Sequence, residues 1–292
     1  MRTRPVAWAP AEPTEPDADL AERAAGLADL MRGRRAVVLT GAGVSTGSGI
    51  PDYRGPQSPQ RTPMTYGQFV SDPEFRQRYW ARNHVGWRHM ERAEPNRTHE
   101  ILAEWERAGR VVGVITQNVD MLHLKAGSRN VIDLHGNYGS VACISCTYTI
   151  NRWAFDDRLS ALNPRFRERV ASRGAIEVAP DADALVGDTA GFAFPDCPAC
   201  GGILKPAIVY FGENVPRPRV AAARALVDGA DLVLAVGTSL TVQSGYQFIR
   251  QATGSGRPVA VVNRGTTRAH GLATLTIDGD CSEVLALVDT AL

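Results

Sequence analysis

Short apolar runs recur along the chain, each ending in glycine or small polar residues and each parted from the next by a helical stretch. The first, Ala36-Val37-Val38-Leu39-Thr40, enters Gly41-Ala42-Gly43; the second, Val111–Thr116, enters Gln117-Asn118-Val119-Asp120. Runs of this kind suit strands buried on both faces, as in a parallel sheet covered by helices. A helix is expected over 19–32, stopped by Gly33, and another over 98–108, with strands at 36–40, 111–116 and 131–134. Beyond them, strands near 208–211, 231–236, 258–262 and 274–277 alternate with helices near 219–228 and 246–252, and a helix closes the chain. The expected fold class is α/β, a parallel sheet with helices on both faces. Residues 69–90 also read as helical, behind a stretch broken by Pro51, Pro56, Pro59 and Pro63, whereas 157–193 shows little periodicity.

Composition narrows the function classes. A length of 292 residues allows one large domain with insertions, or one large and one small domain. A net charge of +1 gives no basic excess for general nucleic-acid binding. Residues 1–16, rich in proline and acid, read as a disordered tail without the apolar core of a secretory signal. No run approaches the roughly 18 apolar residues that span a bilayer. Four of the five cysteines fall in two Cys-x-x-Cys pairs, the usage of a metal site in a reducing compartment. A cytoplasmic protein is expected.

Five groups carry the chemistry. Gly41, Ala42, Gly43 and Ser45 follow a strand, where backbone N–H groups can meet a pyrophosphate, although a ligand-free turn fits the spacing as well. Asp52, Tyr53 and Arg54 stand on the loop beyond. Gln117, Asn118 and Asp120 follow the second strand and suit ribose hydroxyls or a carboxamide, or simply a capped turn. His135 lies at another strand end, where a near-neutral imidazole is the natural base for a sugar hydroxyl; a lone histidine is more often structural. Cys143, Cys146, Cys197 and Cys200 supply four thiolates for tetrahedral Zn²⁺ and leave no open position, so that ion is expected to be structural. Finally, Gly237-Thr238-Ser239 and Asn263-Arg264-Gly265 end apolar strands and suit adenosine recognition, or ordinary turns; Cys281 is a further crevice candidate or a packed thiol.

In this order the segments resemble the sirtuins, the NAD-dependent protein-lysine deacylases, from about residue 20 to 292. The likeness rests on Gly41-Ala42-Gly43-Val44-Ser45, Gly49-Ile50-Pro51-Asp52-Tyr53-Arg54, Thr116-Gln117-Asn118-Val119-Asp120 and Leu134-His135-Gly136. The four cysteines, the run from Lys205 through Val209, Tyr210, Phe211 and Gly212 to Glu213, and Gly237-Thr238-Ser239-Leu240 complete it. Ser244-Gly245-Tyr246, Lys125-Ala126-Gly127-Ser128, the Arg76-to-Arg82 word and the long gap between cysteine pairs resemble the class II branch.

The resemblance implies a Rossmann-like NAD-binding domain (17–55, 95–141 and 205–292), a helical insertion (56–94) and a zinc module (142–204). By the same likeness, NAD is the co-substrate and one Zn²⁺ is structural. Gly41 to Arg54 would hold the pyrophosphate and nicotinamide side, Gln117 and Asn118 the nicotinamide ribose, and Asp120 the carboxamide, with Val119 beside them. The adenosine would lie among Gly237, Thr238, Ser239, Asn263, Arg264, Gly265 and Cys281. Val209, Tyr210, Phe211, Gly212 and Glu213 would take acyl-lysine proteins as an added strand. The acyl oxygen would attack C1′ of the ribose as nicotinamide leaves, His135 would act as base on a ribose hydroxyl, and Asn118 would assist. Tyr53 stands where most of the family has phenylalanine and Val119 where many have isoleucine.

Tyr79 and Arg82 have the spacing with which another branch binds succinyl groups, but they sit inside a class II word; no strong preference for acidic acyl groups is expected. Mono-ADP-ribosyl transfer is the related alternative. A low-turnover NAD sensor is disfavoured by the presence of His135, Asn118 and Asp120, and a zinc-ribbon nucleic-acid binder by near-neutral charge. No membrane partner is expected, and the oligomeric state is not legible.

Overall fold

A computed structural model describes residues 15–53, 63–172 and 178–292. All but the last two residues of the expected tail lie outside the described residues, as do Arg54, Pro56 and Pro59. Helix α1 (Leu20–Met31) leads into β1 (Ala36–Thr40) and a 3-10 helix (Ala42–Ser48); α2 (Tyr66–Ser71), α3 (Pro73–Arg92) and α4 (Arg97–Arg107) follow. The chain continues through β2 (Val111–Thr116), α5 (Leu122–Lys125), β3 (Val131–Asp133), β4 (Gly136–Cys143), β5 (Thr149–Asn151), α6 (Arg152–Leu162) and α7 (Phe166–Ala171). The last part comprises β6 (Leu204–Ile208), α8 (Arg217–Asp228), β7 (Leu232–Val236), α9 (Gln243–Gly254), β8 (Val259–Asn263), β9 (Leu275–Asp278) and α10 (Cys281–Ala291).

Six strands form one sheet in the order β3-β2-β1-β7-β8-β9, every neighbouring pair parallel. Alternate side chains leave opposite faces of a strand. Val38, Val114 and Leu234 accordingly pack with Leu27 of α1, Trp105 of α4 and Leu285 of α10. Val37, Ile115 and Val233 pack on the other face with Val227 of α8 and Phe248 of α9. Helices thus cover both faces, as the unbroken apolar runs require. Register sets the ends level: Thr40 lies beside Thr116 on one flank and Val236 on the other. The polar words that follow β1, β2 and β7 therefore emerge at one edge.

A second, antiparallel sheet, β5-β4-β6, differs from the expected layout in two ways. The strand expected near 208–211 lies at Leu204–Ile208 and pairs with β4, not with the parallel sheet. It ends where it does because Glu213 accepts from both the Tyr210 N–H (2.9 Å) and Lys205 Nζ (3.1 Å), turning the chain back. The weakly periodic stretch 157–193 contains most of α6 and all of α7. The amphipathic signal of α6 is hidden because Arg152 and Asp156 share its buried face with Phe155 and Leu159.

That buried charge ties the helical insertion to the cysteine-bearing segment. Asp156 is fully buried and meets His84 Nδ1 at 2.9 Å, Arg88 at 3.0 Å, Arg152 at 3.6 Å, and Arg167. Burial alone would raise its carboxyl; hydrogen bonds from His84 and Arg167 outweigh burial and hold it well below the usual carboxylate range. Burial brings the Arg152 guanidinium down to about 10, opposed by Asp156, and Arg152 lies 4.7 Å from the Trp87 ring centroid. Breaking such a group from one side leaves buried charge uncompensated, at roughly 3–5 kcal/mol. Asp156→Asn is expected to lower the urea midpoint accordingly; an unchanged midpoint refutes a stabilising role. Because the folded pKa is depressed, this contribution is present above the unfolded aspartate value of about 3.9 and fades as pH falls through the folded one.

Among the described residues no helix is long and apolar enough to cross a membrane.

Candidate active site

The aligned strand ends open into a cavity of about 520 Å³. Gly41, Ala42, Gly43 and Ser45 line it with Asp52, Tyr53, Gln117, Asn118, Val119, Asp120 and His135. Val209, Tyr210, Phe211, Gly212, Glu213, Gly237, Thr238, Ser239, Asn263 and Arg264 complete the expected residues that reach it. Arg54 lies outside the described residues. Gly265 and Cys281 are not among the lining: the Gly265 N–H donates to Asp278 (3.0 Å), and Cys281 is buried in the core at the start of α10. Burial pushes the Cys281 thiol up to about 12, so it stays protonated. Arg264 is largely exposed and pairs with Asp280 at 3.1 Å.

The glycine turn runs into a 3-10 helix, Ala42–Ser48. The Gly43 N–H donates to Gly237 O (2.9 Å) and the Val44 N–H to Gly41 O (3.2 Å), so those two donors are spent inside the protein. A side chain at Gly41 would meet Thr238 at 2.7 Å, and one at Gly43 would meet Gly237 at 2.8 Å. Both glycines are thus demanded by the close approach of the turn after β7, whatever else they admit.

Behind the turn sits a buried polar knot. Asp120 accepts from the Ser45 hydroxyl (2.7 Å) and the Leu122 N–H (2.9 Å). Its carboxyl is raised by burial, against the pull of those hydrogen bonds. Asn118 Nδ2 donates to Gly41 O and to Ser45 Oγ, both at 3.0 Å. Gln117 Nε2 donates to Thr40 O (3.2 Å) and Thr238 Oγ1 (2.8 Å). With both amide nitrogens committed, each side chain offers its oxygen as an acceptor. Two residues held at positive φ without being glycine, Met121 (65°) and Leu240 (56°), flank this edge; strain of this sort gathers at ligand sites.

His135 stands where β3 gives way to β4. Gly136 (φ 73°) allows the sharp exit, since a side chain there would strike Ala207 O at 1.9 Å. His135 Nδ1 lies 2.9 Å from Gln117 O, which accepts only, so Nδ1 carries the proton and Nε2 keeps a lone pair. Burial lowers its pKa, the Gln117 carbonyl opposes that, and Arg219 adds to it. The ring is therefore neutral near pH 7, in the state a base requires.

Beside His135, the Val209 N–H donates to His135 O (2.7 Å), and the Tyr66 N–H donates to Phe211 O (2.9 Å). Tyr53 packs edge-on to Phe211, with ring centroids 6.0 Å apart; burial, then Asp181 and Asp183, hold its hydroxyl far above the usual range.

Cys143, Cys146, Cys197 and Cys200 bring their sulfurs within 4.8 Å of one another. Cys143 and Cys200 are 3.6 Å apart, Cys146 and Cys197 3.7 Å. A tetrahedron of ~2.3 Å Zn–S bonds has edges of about 3.8 Å, so the set fits Zn²⁺. With four thiolates there is no place for a water or substrate, and such an ion would hold the β4 and β6 ends together.

Ser244, Met64, Pro180 and Asp181 also line the cavity. Nothing local in the sequence marks a residue that reaches a cavity only through packing. Ser244 alone had a signal, as part of a quoted class II word.

Fold and cleft together define a Rossmann-like nucleotide-binding architecture, with its crevice at the carboxyl ends of the strands and a metal-binding module beside it. The chain belongs to the Sir2 family: that family's pattern matches residues 41–244. It is 60% identical over 262 residues to NAD-dependent protein deacetylase 1 of Mycobacterium avium (strain 104), covering 90% of this chain and 93% of that one. NAD-dependent protein deacylase Sirt4 of Drosophila melanogaster is 44% identical over 256 residues, 85% of this chain and 80% of the other. Among solved structures, "Sir2-p53 peptide-NAD+" superposes with a TM-score of 0.70 at 31% identity, covering 91% of this chain and 96% of that one.

Proposed function

We propose that this chain removes acyl groups from protein lysines, consuming NAD and releasing nicotinamide and O-acyl-ADP-ribose. The observation that carries the reading is His135, neutral and with its Nε2 lone pair inside the cleft that also holds Asn118, Asp120 and Thr238. Similarity to relatives named deacetylases and deacylases supports it. When bound, NAD supplies the electrophilic ribose carbon and nicotinamide as leaving group. The oxygens of Gln117 and Asn118 accept from ribose hydroxyls, Asp120 holds the carboxamide, and His135 takes the hydroxyl proton. Gly41 to Ser45 face the pyrophosphate, and Thr238, Ser239 and Asn263 the adenosine. Val209, Tyr210, Phe211, Gly212 and Glu213 hold the peptide, and the zinc held by the four cysteines is structural. The division into a sheet domain and a smaller insertion-plus-zinc domain belongs to the same proposal, supported by the two separate sheets, as does a cytoplasmic location, supported by five free thiols.

Nicotinamide release from NAD, measured with acetyl-, lipoyl-, long-chain- and succinyl-lysine peptides beside a His135→Ala control, tests this. Release that needs both an acyl peptide and His135 is expected; release indifferent to peptide would instead indicate ADP-ribosyl transfer or NAD hydrolysis.

Acidic acyl groups are expected to be poor substrates. Arg82 is turned onto Asp183 (2.8 Å), and the Tyr79 hydroxyl meets Tyr138 (3.2 Å), away from the cavity that Asp181 lines. An acidic chain would find the like charge of Asp181 there, with the Arg82 guanidinium committed to Asp183. Succinyl-lysine should turn over more slowly than acetyl-lysine; the reverse order would show that Arg82 swings in.

A further inference from the structure

His135 is gripped at both ring nitrogens. Opposite the Gln117 carbonyl, Ser244 Oγ lies 2.8 Å from Nε2. Ser244 stands in the first turn of α9, where helix geometry restricts its rotamers, and its carbonyl is held by Gln247 Nε2 at 2.9 Å. Gly245, next in line, is required because a side chain there would strike Gln117 at 2.7 Å. The start of α9 is thus pressed against the residue whose carbonyl fixes the other side of the histidine. We propose that Ser244 orients the base and relays its proton, a hydroxyl bonded to Nε2 both before and after the transfer. This deepens the deacylase reading and rests on it for its catalytic meaning.

While His135 is neutral, Nδ1–H is committed to Gln117 O, so Ser244 donates its O–H to the Nε2 lone pair. Nε2 has a single lone pair and Ser244 occupies it, so the substrate proton reaches the ring through the hydroxyl. The Oγ–H proton passes to Nε2 as Oγ takes the proton of the ribose hydroxyl, after which Nε2–H donates and Ser244 Oγ accepts. The serine gives one proton and gains one, so it ends neutral. A hydrogen bond from a charged donor is roughly twice as strong as a neutral one, so the hydroxyl favours the imidazolium over the imidazole. It opposes burial, which disfavours the cation, and Arg219 on α8, whose guanidinium bears on the ring and itself faces Asp133. Without Ser244 the base is weaker and its ring is held at one nitrogen only.

The test compares wild type, Ser244→Ala and Ser244→Thr by deacylation rate against pH and by ¹⁵N NMR titration of the His135 ring. Ser244→Ala should lose about tenfold in rate, the order of one hydrogen bond to a charged group. Its acid limb and the NMR midpoint should both move to lower pH by about one pH unit. Ser244→Thr, which keeps the hydroxyl, should restore both. A Ser244→Ala enzyme that slows equally at all pH values with an unmoved His135 midpoint would make the serine merely structural and overturn the inference. The NMR arm needs no turnover, so it stands or fails separately from the deacylase assignment, which fails if wild type deacylates no peptide.

Discussion

Alanine in place of His135 should cut acyl-peptide-dependent turnover by on the order of 10²–10⁴-fold, the usual contribution of a positioned general base. The size follows from the environment. Nδ1 is tied to Gln117 O, so one tautomer is imposed, and burial keeps the ring neutral below the ordinary histidine midpoint of about 6.5. The wild-type rate should therefore hold through neutral pH and fall only on the acid side, as the base becomes protonated. Folding should be little altered, because His135 is not part of the apolar core and its ring contacts are Gln117 O and Ser244 Oγ. Steady-state nicotinamide release with an acyl peptide, alongside a thermal melt, reads both; a variant within a few fold of wild type would remove His135 from the mechanism.

Cys197→Ser should cost both the metal and much of the smaller domain's order. Cys143 and Cys197 sit in the same apolar cluster as Trp80, Trp87, Phe155 and Leu204, so the sulfur tetrahedron lies at the edge of that core. Binding free energy for a structural zinc is folding free energy, ~10–16 kcal/mol in isolated zinc-finger peptides at pH 7. Part of it is retained here by the surrounding apolar contacts, and the expected net loss remains several kcal/mol. Zinc content should fall from one per chain toward zero while the melting temperature drops. Emission from Trp80, Trp87 and Trp153 should shift as their surroundings loosen. Trp105, in the core of the parallel sheet, should keep its environment, with Nε1 donating to Asp289 at 2.8 Å. A variant that loses its zinc yet melts like wild type would show that the ion does not stabilise the fold.

The parallel sheet was legible because its strands advertise themselves. Val37 and Val38 face opposite helical layers, so both must be apolar and the run has no polar gap. The four-cysteine cluster was legible for a related reason, since two Cys-x-x-Cys pairs name four donors without any knowledge of the fold. Helix α6 was not, because Arg152 and Asp156 are buried where periodicity expects apolar residues, and only a partner such as His84 on α3 makes that burial tolerable. The strand at Leu204–Ile208 was misplaced toward residue 211 because Tyr210 and Phe211 look like strand residues, whereas Tyr210 packs into an aromatic group with Phe69 and Tyr79.

The amino-acid sequence by itself determined the alternation of strands and helices, the polar words at the strand ends, the four thiolates and the histidine. Each of those follows from local chemistry or from residue spacing. Which nitrogen of His135 carries the proton, that Ser244 meets the other, that Arg82 is spent on Asp183, and that Cys281 is core and not lining were decided only by tertiary structure. These are contacts between residues far apart in the chain, and hydrogen bonds and burial at such distances depend on the register of β1, β2 and β7 and on how α3 and α9 dock. No periodicity encodes them.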